Sequence, residues 1–293
     1  MTINYQSRNV LQDAESFAAS GNLDAVYEKL RSLALADFCN LHIDSLAQYP
    51  ELSKLLPQMP ADDVQKKWVG DYGKNLMMRS CNLARLFDLM SFRVTGSGLH
   101  GKNILDYGCG WGRLLRIMNY YSPMDQVDGV DPMQESLDHC RNDSIQNNLS
   151  LISTRPEQFP ITDKLYDFAF AFSVFTHTPA DVTSSVLRAL RPAMSKNSCF
   201  VATIRSVEWV AVRDGHWAEE DTKKMRDDFY ENGYAFKTFK NNSSLEHQDY
   251  GDTIMSVEYL DQLAQKEGWR VELVDRDLTE PFQIAVALVP SVQ

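Results

Sequence analysis

Cysteine is scarce in this chain, five among 293 residues, an odd number at no paired spacing. That pattern weighs against a disulfide framework and against a zinc site, so reduced thiols are expected. Long apolar runs are missing as well. Nothing approaches the ~18 residues a membrane-spanning helix needs, and the start, Met1 to Arg8, has no charged segment leading into an apolar one. The expectation is a cytoplasmic protein with no membrane span. Basic charge is in deficit, 29 Lys and Arg against 40 Asp and Glu, for a net charge of −11, and the cations are dispersed rather than gathered into a stripe. Nucleic-acid affinity rests on neutralising phosphates, so no nucleic-acid partner is expected. No His and carboxylate cluster stands at ligand spacing, and no metal is expected. Internal repeats and low-complexity segments are absent too.

What is present is ample apolar content, 44% hydrophobic residues, over a length that supports an α/β core plus an appended segment. Helical spacing runs from residue 10 to 48, breaks over 18–22, and restarts at Asn22. A second run from Ala61 to Arg93 is interrupted near Gly70 and Gly73, and Thr95 to Gly101 reads as a linker. The expected division is a helical N-terminal extension or lid over 1–98 and a main domain over 99–293. Strands are expected at Asn103 to Tyr107, Val127 to Val130, Ser150 to Ser153, Tyr166 to Phe172 and Ser198 to Ile204, with a helix at Asp181 to Leu190. Residues 205–250 are charged and aromatic without a clean period, as suits an insertion above the strand ends. A helix from Ser256 to Glu267 and strands at Trp269 to Val274 and Phe282 to Leu288 complete the pattern. Apolar strands separated by helical runs imply an α/β fold with a parallel sheet buried on both faces.

The densest signal is Asn103-Ile-Leu-Asp-Tyr-Gly-Cys-Gly-Trp-Gly-Arg113. An apolar strand enters three alternate glycines and leaves as a helix, a turn whose missing Cβ atoms admit a ligand to the backbone. The dinucleotide fingerprint is G-x-G-x-x-G; this chain reads D-x-G-x-G-x-G instead. The next strand ends in an acid, Asp131, placed to accept hydrogen bonds from ribose hydroxyls.

These motifs resemble those of the class I S-adenosylmethionine-dependent methyltransferases, over about Leu99 to Val289. The resemblance implies a doubly wound, seven-stranded, mostly parallel sheet with an antiparallel finish, and S-adenosyl-L-methionine as cofactor. It implies a cofactor site built from Asp106, Tyr107, Gly108, Cys109, Gly110 and Arg113 on the first turn, and from Asp131, Pro132 and Met133 on the second. Relatives place an acid and a small residue after the third strand to bind adenine. Arg155 and Pro156 stand there instead, leaving Glu157 or Gln158 to substitute. Phe172, Ser173 and Val174 match the fourth-strand tip, and His177 beyond it is the candidate general base, with His216 and Tyr72 as alternatives. Gln65 to Gly73 resembles a lead-in of bacterial methyltransferases that modify glycans and small molecules, which would set Trp68 and Gly70 at the cofactor's edge.

The expected activity is in-line methyl transfer to an oxygen of a saccharide or small-molecule acceptor, under a lid formed by the helical extension and the 205–250 insertion. Trp209, Trp217, Tyr230 and Tyr234 are the candidate aromatic platform. A nicotinamide-dependent oxidoreductase and a non-catalytic cofactor-binding or scaffold protein are the competing readings, and a homo-oligomer is compatible with the sequence.

Overall fold

The computed structural model describes residues 5–44, 46–160, 164–213, 215–239, 249–276 and 282–291. Four helices, α1 (Tyr5–Ala19), α2 (Leu23–Leu30), α3 (Leu35–Asn40) and α4 (Pro50–Leu55), pack around Val26, Tyr27, Leu30, Phe38 and Leu52. The break expected at 18–22 separates α1 from α2, and the Asn22 side chain caps α2 by accepting from the Ala25 N–H. The group is tied to the main body by hydrogen bonds. Arg31 donates to the carbonyls of Asn119 and Ser122, and the Tyr120 hydroxyl donates to the Leu33 carbonyl.

Helix α5 (Asp62–Val69) stops at Gly70, whose φ of 73° is left-handed, and the long α6 (Gly73–Thr95) follows. Met77, Ala84, Phe87 and Met90 of α6 share one core with Ile104, Phe168 and Val201 of the sheet. The boundary expected at residue 98 therefore falls after a helix that packs directly on the sheet.

Next come β1 (Ile104–Tyr107), α7 (Leu115–Met118), β2 (Val127–Asp131), α8 (Gln134–Asn142), β3 (Asn148–Leu151), β4 (Tyr166–Ala171), α9 (Ala180–Leu190) and β5 (Met194–Ile204). After them come α10 (Glu208–Val212), α11 (Glu219–Asn232), β6 (Tyr234–Thr238), β7 (Gly251–Met255), α12 (Val257–Lys266), β8 (Trp269–Arg276) and β9 (Ile284–Pro290). Among the described residues the main sheet has the order β3-β2-β1-β4-β5-β9-β8. Strands β1 to β5 pair in parallel, and β9 lies antiparallel to both β5 and β8. Side chains of α9 and α12 bury one face and those of α6 and α7 the other, as the unbroken apolar strands require. The seven strands, the parallel pairing and the antiparallel finish all match the expected fold.

Several bounds differ from expectation: β5 begins four residues before Ser198, and β9 lies two residues later than Phe282 to Leu288. The third strand lies two residues earlier than Ser150 to Ser153, because Ser153 turns the chain and accepts a hydrogen bond at Oγ from the Arg155 N–H. The insertion is ordered where it is described: α10, α11 and the β6–β7 hairpin enclose Val210, Met225, Ala235 and Ile254. Strand β7 also runs along the β4–α9 turn, with Gly251, Thr253 and Met255 donating backbone N–H groups to the carbonyls of His177, Thr176 and Arg205. Its chemistry was legible as an insertion; its pairing depends on residues far apart in sequence.

Candidate active site

Strand order reverses between β1 and β4, so the loops leaving their carboxyl ends diverge and open a crevice. A cavity of about 940 Å³ fills that crevice and runs along the loops after β1, β2, β4 and β5. The turn after β1 forms one end. Gly108, Gly110 and Gly112 have φ of 76°, 56° and 76°, conformations glycine adopts at no steric cost. At Gly108 a Cβ would come within 2.5 Å of Val174 Cγ2, so the first glycine is required by packing as well. Gly110 faces open space but for the indole of Trp68, 4.0 Å from where its Cβ would stand.

Carboxylates bracket this turn. Asp131 accepts hydrogen bonds from the Gly110 N–H and the Met133 N–H, each at 2.9 Å, which locks the first turn to the second. Burial raises its pKa above the usual carboxylate range, and the two N–H groups oppose that rise. Burial also holds Asp106 well above the usual range, with Arg113 as the opposing cation. Arg113 is itself fixed from below: its Nη1 donates to Ser80 Oγ on α6, and its guanidinium lies over the Phe172 ring at 5.0 Å. An ammonium group arriving beside Asp106 would restore its charge, and a diol beside Asp131 would meet lone pairs the backbone leaves free. The donor set and the open turn fit an amino acid joined to a nucleoside.

Helix α5 roofs this end. Trp68 contacts the edge of the His139 ring, centroids 6.0 Å apart, and Gln65 holds the helix by bridging the Pro60 carbonyl and the Gly73 N–H. Trp68 and Gly70 both line the cavity.

Beyond the β4 tip the chain takes a strained step at Ser173, φ 59°, held by its N–H on Thr203 Oγ1 at 2.8 Å. His177 then meets the hairpin. The Gly251 carbonyl accepts from His177 Nδ1 at 2.7 Å, which places the ring proton on Nδ1 and leaves Nε2 as an acceptor. Arg205 Nη2 occupies that acceptor at 3.3 Å, and the ring stacks on Tyr250 at 5.1 Å. Burial, with the charges of Arg205 and Arg213, pushes its pKa from 6.5 to about 3. A ring so weakly basic and with both nitrogens engaged is a poor proton acceptor. The general-base role expected for His177 does not fit this geometry; the residue clasps the hairpin to the β4 turn. Neither alternative stands in its place, because Tyr72 and His216 are exposed and outside the cavity.

The far wall comes from the end of β5 and the insertion. Asp252, fully buried, accepts from Arg205 Nη1 at 2.9 Å and from Arg213 Nη2 at 3.1 Å. Arg205 stacks over Trp209 at 3.9 Å. Of the aromatic platform expected in the insertion, only Trp209 reaches the cavity. Trp217 packs on the insertion's own small core, Tyr230 is 74% exposed, and Tyr234 stacks on Tyr259.

The fold thus brings Trp68, Gly70, Asp106, Tyr107, Gly108, Cys109, Gly110, Arg113, Asp131, Pro132, Met133, Phe172, Ser173, Val174 and His177 to one cavity. Glu157 is not among them. It points to solvent, because Pro156 and Phe159 turn inward instead. Arg155, the departure noted in the sequence, grips Asp249 through Nε and Nη2 and Asp181 through Nη1. It straps the hairpin across the end of β3 and brings Asp249 and Tyr250 to the cavity. Those two, with Arg205, Arg213 and Gln283, are lining residues that the sequence reading missed. The out-of-place arginine at 155 was the signal for the first pair; nothing local marked the others.

A family model described as methyltransferase domain matches residues 104–197. No curated protein matches the sequence. Among solved structures the chain resembles DesVI from Streptomyces venezuelae, at 13% identity over 80% of this chain and 100% of that one, with a TM-score of 0.52. It also resembles the CcbJ methyltransferase from Streptomyces caelestis, at 14% identity over 79% and 96%, with a TM-score of 0.50. A third likeness is to magnesium protoporphyrin IX methyltransferase from Synechocystis PCC 6803 with bound SAH, at 13% identity over 78% and 94%, TM-score 0.50. These identities speak to fold. Residues 104–197 thus match a methyltransferase domain, and the strand order and glycine turn give the chain the fold of the class I S-adenosylmethionine-dependent methyltransferases.

Proposed function

We propose that the enzyme moves a methyl group from S-adenosylmethionine to an oxygen of a saccharide or small-molecule acceptor, chiefly by positioning both molecules. The observation that carries this reading is the single continuous cavity, with a cofactor-like cradle at one end and a separate polar wall at the other. In that arrangement Asp106 receives the ammonium group, Asp131 the ribose hydroxyls, and Met133 lies against the base. Trp68 closes over the glycine turn. S-adenosylmethionine supplies a sulfonium-bound methyl group that is transferred as its carbon–sulfur bond breaks. The acceptor oxygen forms the new bond and releases its proton to solvent, since His177 is already engaged on both ring nitrogens. Holding nucleophile and methyl group in line removes most of the entropic barrier such a step faces.

Calorimetric titration with S-adenosylmethionine and with NADH separates the cofactor readings, and saturation by the first alone is the expected result. Mass spectrometry of reactions with matched hydroxyl, amine and thiol acceptors then tests the atom. Methylation confined to nitrogen or sulfur would overturn the oxygen assignment, and binding without any transfer would favour the scaffold reading.

A further inference from the structure

The far wall carries more positive charge than it neutralises. Arg205 and Arg213 share one carboxylate, Asp252, through one hydrogen bond to each of its oxygens. His177 beside them stays neutral near pH 7 because its pKa is about 3, and burial keeps the Tyr250 hydroxyl protonated. Asp249 is engaged by Arg155 on the hairpin's other side, and Asp106 lies at the cofactor end, where Arg113 faces it. Among the described residues the wall therefore holds one more cation than anion, inside a protein whose net charge is −11.

Hydrogen-bonding capacity is also in surplus there. Arg205 Nε, Arg213 Nε and Trp209 Nε1 are buried and have no partner among the described residues. All three residues line the cavity, and Arg205 is 7% exposed. Buried unpaired donors and charges are costly, and where they persist in a cleft a ligand of opposite sign offsets the cost. Stacking on Trp209 fixes the Arg205 plane, the preorganisation a forked oxyanion contact requires.

Resting on the methyltransferase reading, we propose that Arg205, Arg213 and Trp209 form an oxyanion subsite that holds the acceptor by a carboxylate or phosphate group. The held group is an anchor and not the reacting atom, because an oxygen paired with arginine is a poorer nucleophile than a free one. The subsite selects acidic acceptors that the protein's overall charge would otherwise repel.

The test uses the full chain saturated with S-adenosylhomocysteine, titrated calorimetrically at constant ionic strength with inorganic phosphate, with benzoate and with the neutral isostere benzamide. At least one anion is expected to bind, with benzamide at least tenfold weaker than benzoate where benzoate is the binder, and the two anions identify which group the wall prefers. Arg213→Gln should weaken that binding at least tenfold while leaving S-adenosylhomocysteine affinity unchanged. Arg213→Lys, which keeps the charge without the fork, should fall between and serves if the glutamine variant does not fold. No anion binding to the loaded wild type, or equal anion binding by the variants, overturns the subsite alone. Failure of the wild type to bind S-adenosylhomocysteine would instead overturn the cofactor reading on which it rests.

Discussion

Replacing His177 with asparagine separates a structural clasp from a catalytic base. Asparagine can still donate to the Gly251 carbonyl but does not titrate and offers nothing to Arg205 Nη2. At about pH 7.5 the variant should lose roughly 1–3 kcal/mol for the donor left unpaired and about 0.5–1.5 kcal/mol for the ring stacked on Tyr250. Acid changes the comparison. The wild-type imidazole is held neutral in the fold, with its pKa lowered from 6.5 to about 3, so the unfolded chain takes up a proton first as pH falls. Stability is therefore lost below pH 6.5 and continues to fall until about pH 3. Linkage places the loss at about 2 kcal/mol between about pH 7.5 and about pH 5. The variant lacks this term, so the stability gap between the two proteins should narrow by about 2 kcal/mol over that interval. His42, also pushed down to about 3 by burial, titrates alike in both and cancels in the difference. Urea unfolding at the two pH values measures the gap. Turnover of the variant on any acceptor found should stay within about tenfold of wild type, short of the ~10²–10⁴ expected for loss of a general base. A gap that does not change with pH, or a hundredfold loss of turnover joined to a wild-type rate profile rising near pH 6.5, would refute the clasp.

Other outcomes follow from the same geometry. Asp131→Ala should weaken S-adenosylhomocysteine binding by about 1–3 kcal/mol, the scale of hydrogen bonds to a charged group; calorimetry showing unchanged affinity would remove the ribose assignment. Asp106 has a raised pKa in the free protein, so it binds a proton that an incoming ammonium group must displace, and ligand affinity should strengthen as pH rises, by at most about tenfold per unit. Asp106→Asn should flatten that dependence, and a wild-type profile flat between about pH 5 and pH 8 would count against the contact. Arg155→Met leaves Asp249, whose side chain is 1% exposed, without its forked partner. Amide exchange at Gly251 and Thr253 should then quicken by roughly tenfold or more as the strap loosens, and unchanged protection would show that the strap does not hold the hairpin.

Much of the molecule was readable from local pattern because local pattern is what produced it. Asp106 to Arg113 and Asp131 announce a ligand-binding turn because glycine takes those backbone angles at no steric cost and the strand end presents an acid beside them. Apolar strands spaced by helical runs likewise compel a parallel sheet covered on both faces, and the structure has one. Pairings across long separations were not readable. Strand β7 meets the β4 turn more than seventy residues away, and that meeting decides that His177 is clasped and not free to act as a base. The same contact sets Arg205 and Arg213 on either side of Asp252, while Glu157, plausible in sequence, is turned outward by its neighbours. Sequence by itself determined the fold class, the glycine turn and the acids that border it, since each follows from the backbone preferences and polarity of adjacent residues. Tertiary structure alone decided the arginine wall around Asp252 and the clasp that holds His177, because charge and burial at those positions come from side chains that only folding brings together.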